Sequence, residues 1–178
     1  MTIVPDTKDW TWVLERPCPE CGFDTSGFPV EAVPQMILAN AAAWPSVLAG
    51  DHVRTRQEPG KWSPLEYGCH VRDVFRRFDQ RLELMLTQDD PLFPNWDQDE
   101  TAVADRYAEQ DPAEVAAALR QAAFAIAGRF EGVTGSQWRR TGSRSDGARF
   151  TVETFARYLV LDPVHHVYDV TGRRAVQA

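Results

Sequence analysis

The sequence predicts an all-α fold, a four-helix bundle with one long crossover between its second and third helices. Three observations predict it. Four segments carry apolar residues at helical spacing. Two of these open on a capping residue followed by proline, Ser63-Pro64 and Asp111-Pro112, a helix-start signature. Between them lies "PLFPNWDQDETAVADRYAEQ", residues 91–110, too long and too rich in Pro, Asp and Trp to be a simple turn. Bundles with a long crossover connection are an established variant of the architecture.

The first helix spans roughly 30–48, with Ala32, Val33, Met36, Ile37, Ala41, Trp44 and Leu48 on one side. Pro29 and Pro34 sit near its start, where a missing N–H costs little, and Pro45 predicts a bend or an end. The second is the best signalled. "SPLE" puts Ser63 at the N-cap, Pro64 at the first position and Glu66 at the third, a capping box. Val71, Val74, Phe75, Phe78, Leu82 and Met85 then form an apolar stripe, with Arg72, Arg76 and Asp79 opposite, and the helix stops near "TQDDP". A third runs from Asp111 to about Phe130; its alanines suit close helix packing. The fourth spans about Thr151 to Val170, before Gly172, a residue suited to ending a helix. The irregular stretch 132–150 has room for a short hairpin. Residues 1–178 read as one domain, with 1–28 an N-terminal extension carrying "CPEC".

Composition narrows the function classes. The 178 residues are 43% apolar and 25% charged, with net charge −7, the profile of a globular chain. An acidic sequence without a basic tract is poorly suited to nucleic acid or anionic membrane. No apolar run approaches the roughly 18 residues a membrane span needs. The N-terminal "MTIVPDTKDWTW" has no basic region leading into an apolar one, so no signal peptide is expected. Three cysteines, an odd number, fit a reducing cytoplasm better than a disulfide framework.

Polar residues interrupt the apolar lines of two helices. On the fourth, the inward line runs Val152, Phe155, Leu159, Asp162, His166, Val170. Residues four apart share a face, with Cβ atoms about 5–6 Å apart, so Asp162 and His166 aim at one centre. On the second, His70 stands four residues before Val74 on the stripe. One reading makes these core histidines hydrogen-bonded to Asp162. The other makes His70, Asp162 and His166 the ligands of a divalent metal with positions left for water or substrate. His165 and Asp169 are also four apart, an alternative pairing on the neighbouring face. His52, in the loop "AGDHVRTR", reads as exposed.

"KWSPLEYGCHVRDV" on the second helix and "DPVHHVYDV" on the fourth resemble the DinB/YfiT-like superfamily, which includes the metal-binding domain of mycothiol-dependent maleylpyruvate isomerases. The resemblance spans about residues 30–172. In that family a His on the second helix and a pair at i, i+4 on the last hold a divalent metal, often zinc or nickel. Carried over, it implies His70, Asp162 and His166 as ligands, with Asp169 orienting a ligand imidazole. This chain departs from the pattern at Asp162, where His or Glu is usual. The resemblance further implies a small-molecule substrate, a low-molecular-weight thiol such as mycothiol as cosubstrate, thiol transferase or isomerase chemistry, and a homodimer. Against that enzyme stands a non-catalytic bundle, a binding or stress-response module whose metal or polar cluster only stabilises the fold.

Cys18 and Cys21 form an isolated C-x-x-C with three readings: unreactive thiols, a redox or metal role, or sulfur supplied to the main site. Cys69 adjoins His70 but points elsewhere, so it reads as core. Trp62, Trp96 and Tyr168 are expected to line the site's mouth or to pack. Arg72, Arg76 and Arg77 read as a basic strip.

Overall fold

The computed structural model of the chain describes residues 10–58 and 60–174. Five helices and three short strands follow in order: α1 (Val33–Leu48), α2 (Pro64–Thr87), β1 (Leu92–Phe93), α3 (Gln98–Ala104), α4 (Pro112–Glu131), β2 (Thr141–Arg144), β3 (Arg149–Thr151) and α5 (Val152–Thr171). The four long helices are the predicted ones. Helices α1 and α2 each pack mainly against α4 and α5, and little against one another. Going round the bundle the order is therefore α1, α4, α2, α5, which sets α1 diagonally across from α2. Among the described residues, no helix is long and apolar enough to cross a membrane.

Local signals carry through into these elements. Ser63 Oγ accepts the Glu66 backbone N–H at 3.3 Å, and the Glu66 carboxylate accepts the Ser63 N–H at 2.8 Å, so two orphan donors of the first turn are satisfied. Asp111 accepts from Ala113 N and Glu114 N at the start of α4. Thr151 caps α5, and Gly172 closes it at φ 68. Pro45 lies inside α1 without ending it, because less than a turn remains to lose. The interior fills with Trp44, Leu65, Phe75, Leu82, Leu119, Ile126, Phe130, Phe155 and Leu159.

Arg56 makes a two-pronged ion pair with the buried Glu66, one arm at 2.9 Å. Burial pushes the Glu66 carboxyl up, but the Arg56 and Ser63 donors outweigh it and hold it below the ordinary 4.5. A carboxyl that is stronger in the folded chain stabilises above its unfolded value and loses that stability as pH falls through its folded one. Urea midpoints are therefore expected to fall below pH 4.5 more steeply in the wild type than in Glu66→Gln. At neutral pH that variant should be less stable by about 1.5–3 kcal/mol. Parallel acid limbs for the two proteins would count against the assignment.

The crossover is not a bare loop. Asp97 caps α3 through Glu100 N at 2.8 Å, and Tyr107 is fully buried with its hydroxyl donating to Asp73 at 2.6 Å. At its start β1 runs parallel to β2, with Leu92 opposite Ser143. The predicted hairpin is β2 and β3, antiparallel, with Thr141 opposite Thr151. This small sheet ties the crossover to the chain feeding α5.

The segment before α1 is strapped to the other side of α5. Arg157 donates to the Thr25 and Phe28 carbonyls at 2.7 and 3.1 Å, and the turn Trp10–Leu14 packs on the same helix. Two non-local elements thus meet α5, the crossover and the N-terminal strap.

Candidate metal centre

Where α2 and α5 face each other, His70, Asp162 and His166 converge. Each offers a donor atom, and the three atoms lie within 4.8 Å of one another. Asp162 Oδ1 stands 3.4 Å from His70 Nε2 and 3.6 Å from His166 Nε2. The His70 and His166 rings meet edge-on, 4.9 Å between centroids. Behind His166, Asp169 Oδ2 sits 2.8 Å from Nδ1 and so fixes which nitrogen faces the centre.

His70 is fully buried, yet among the described residues neither of its ring nitrogens has a hydrogen-bond partner, and the inner oxygen of Asp162 has none either. The His70–Asp162 approach is an ion-pair distance without hydrogen-bond alignment. Buried polar atoms left this way cost about 1–3 kcal/mol each, and such groups call for an explanation. A cation among the three donors supplies one, and two imidazoles with one carboxylate are a donor set for first-row divalent ions.

Electrostatics set the protonation states. Burial holds the His70 imidazole below its ordinary value, and the Asp162 charge only partly offsets this. For Asp162 burial opposes ionisation, but the facing His70 and His166 imidazoles outweigh it and keep the carboxyl low. A neutral imidazole beside an ionised carboxylate is the form that binds metal.

Aromatic rings enclose the cluster. Trp96, delivered by the crossover, stacks on His70 at 5.3 Å and 8°, and Trp62 approaches it at 5.1 Å. The Tyr67 ring lies 4.8 Å from His166. Arg77 lies over the outer face of Trp96, 4.8 Å from the ring. Outside the cluster an open pocket of about 510 Å³ is lined by Trp10, Gln98, Tyr158, Leu161, Asp162, His165 and His166. Asp162 joins the two spaces, its inner oxygen enclosed while its side chain remains 34% exposed.

Of the other residues, Tyr168 and Arg72 fall differently from expectation, while Cys69 and His52 lie as expected. Tyr168 stands beside His165, 6.0 Å between ring centroids. Arg72 is no part of a solvated strip. It is buried, paired with Asp73 at 2.7 Å and donating to Gln110 at 2.6 Å. Cys69 is fully buried, its thiol pushed by burial up to about 12, so it is inert packing. His52 is exposed. Sequence reasoning missed Trp10, Gln98 and Tyr158. Tyr158 carries a usable signal, since it lies four residues before Asp162 on the same face. Trp10 and Gln98 carry none.

Fold and site together define a class: a helical bundle with a His–Asp–His cluster beside an open pocket. The chain belongs to the DinB superfamily, whose family model matches residues 30–170. Its structure is similar to that of YfiT from Bacillus subtilis, at a TM-score of 0.72 and 19% identity, covering 89% of this chain and 88% of that one. YfiT is described as a probable metal-dependent hydrolase with an unusual four-helix bundle topology. No curated protein matches the sequence.

Proposed function

We propose that this chain is a divalent-metal-dependent enzyme acting on a small molecule, with His70, Asp162 and His166 holding the metal. The observation that carries this reading is the fully buried His70, whose ring nitrogens have no hydrogen-bond partner among the described residues, with a donor atom within 4.8 Å of two further donors. Bound there, zinc or nickel would favour the anionic form of a nucleophile at neutral pH. The chain's own residues do the rest. Asp169 orients His166, the Trp62 and Trp96 rings keep water from His70, and Asp162 presents its exposed edge to the pocket. The pocket beside the cluster opens to solvent and brings Asp162 and His166 within reach of a small molecule entering past Trp10, Gln98 and Tyr158.

The nucleophile we assign is a low-molecular-weight thiol such as mycothiol, in a transferase or isomerase reaction. Two neutral imidazoles and one carboxylate leave a divalent ion a net charge of about +1, which favours thiolate over thiol. Water is the second reading, favoured by the likeness to YfiT. Elemental analysis of the purified chain, followed by turnover of electrophiles with and without a panel of thiols, tests both. Thiol-dependent turnover supports the first and thiol-independent hydrolysis the second. Protein that takes up no metal at this centre ends both. A cytoplasmic homodimer goes with the proposal: Phe124, 60% exposed on α4, offers an apolar contact, and light scattering at only 20.1 kDa would reject the dimer.

A further inference from the structure

One residue along α5 from His166, the His165 ring turns toward the N-terminal strap. Cys18 Sγ stands 3.6 Å from its Nδ1. Cys18, Cys21 and His165 each offer a donor atom within 4.8 Å of the other two, and the residues are only 2%, 0% and 8% exposed. Both thiols are free. The backbone holds this arrangement. Gly22 N donates to the Cys18 carbonyl and Cys18 N to the Phe23 carbonyl, both at 2.9 Å, with Gly22 at φ +78, a conformation that favours glycine.

We infer that Cys18, Cys21 and His165 form a second cation site, suited to a thiophilic divalent ion such as zinc, which pins the N-terminal strap to α5. Two sulfurs at C-x-x-C spacing with one imidazole nitrogen are a zinc donor set, and a water takes the fourth tetrahedral position. Solvent is at hand, since the neighbouring Glu20 side chain is 54% exposed. The second nitrogen of His165 supports the assignment. Nε2 faces Asp169 Oδ1 at 3.7 Å and Glu20 Oε2 at 3.8 Å, and metal-bound histidines characteristically turn their other N–H toward a carboxylate. A dithiol redox pair would need sulfur within reach of a partner, and these sulfurs are enclosed. On binding, both thiols release their protons to solvent while the sulfur–metal bonds form.

Asp169 links the two centres. Its Oδ2 holds His166 and its Oδ1 faces His165. An ion at Cys18, Cys21 and His165 therefore fixes the carboxylate that orients His166. The site itself does not depend on metal at His70.

Cobalt(II) titration of the reduced full-length chain tests the inference. The wild type is expected to develop a thiolate-to-cobalt charge-transfer band that added zinc abolishes. Cys69→Ser and His70→Ala should keep the band. Cys18→Ser/Cys21→Ser should lose it and bind one zinc equivalent fewer. A reduced wild-type chain with no such band overturns the inference, as does a band that survives in the double variant. The wild-type spectrum needs no substitution, so a double variant that fails to fold leaves the test standing.

Discussion

His70→Ala is expected to lower bound metal by one equivalent per chain and to remove the thermal stabilisation which that metal confers. The wild type with zinc at a hundredfold excess over its Kd gains about 2.7 kcal/mol, a Tm rise of roughly 5–10 °C for a chain of this size. In His70→Ala that contribution should disappear, leaving only the rise that an ion at Cys18, Cys21 and His165 confers. Stability without metal should change little, because two opposing effects meet. The substitution leaves a cavity in the bundle, yet it also removes two buried nitrogens that lack partners. From the sequence alone, losing His70 leaves Asp162 as an under-compensated buried charge. With the Asp162 side chain 34% exposed, solvent carries much of that charge and the penalty shrinks. Elemental analysis and differential scanning fluorimetry, with and without zinc, read both parts. A His70→Ala chain that keeps the wild-type number of metal equivalents would sink the assignment.

The features legible in the sequence were the ones encoded locally. Ser63, Pro64 and Glu66 form their capping box within one turn, and Asp162 and His166 are paired by helical pitch alone. The convergence of His70 with them needed only two apolar stripes facing one core. What stayed hidden depends on contacts between distant segments. Leu92 pairs with Ser143 across the small sheet, and nothing in a two-residue strand announces its partner. Arg72 looked exposed by periodicity, but Asp73 and the crossover's Gln110 hold it inward. Cys18 and Cys21 read as an isolated C-x-x-C because their neighbour His165 lies at the other end of the chain. The crossover's length and composition mark it as more than a turn, which fits Trp96 against His70. It could not say which aromatic would arrive there.

The aspartates of α5 should separate by the size of their effect. Asp162 Oδ1 lies between His70 Nε2 and His166 Nε2 at 3.4 and 3.6 Å, where it would touch the metal directly. Asp169 reaches this centre only through the far nitrogen of His166, at 2.8 Å, while its other oxygen faces His165. Asp162→Asn exchanges an anionic ligand for a poorer amide and removes a unit of compensating charge. Asp169→Asn leaves all three ligands of this centre and loosens only the hold on the His166 imidazole there, a change that typically costs about 10–100-fold in affinity or activity. Metal affinity should therefore fall much further for Asp162→Asn, while Asp169→Asn should still fill with excess metal. Asp162→Glu should restore most of the binding, since it keeps the charge and the exposed side of Asp162 has pocket space for one more methylene. Were His165 and Asp169 the ligands of this centre, the order of the two Asn variants would reverse. Competitive chelator titration of the three variants decides it, and equal affinities throughout would mean that neither aspartate reaches the metal.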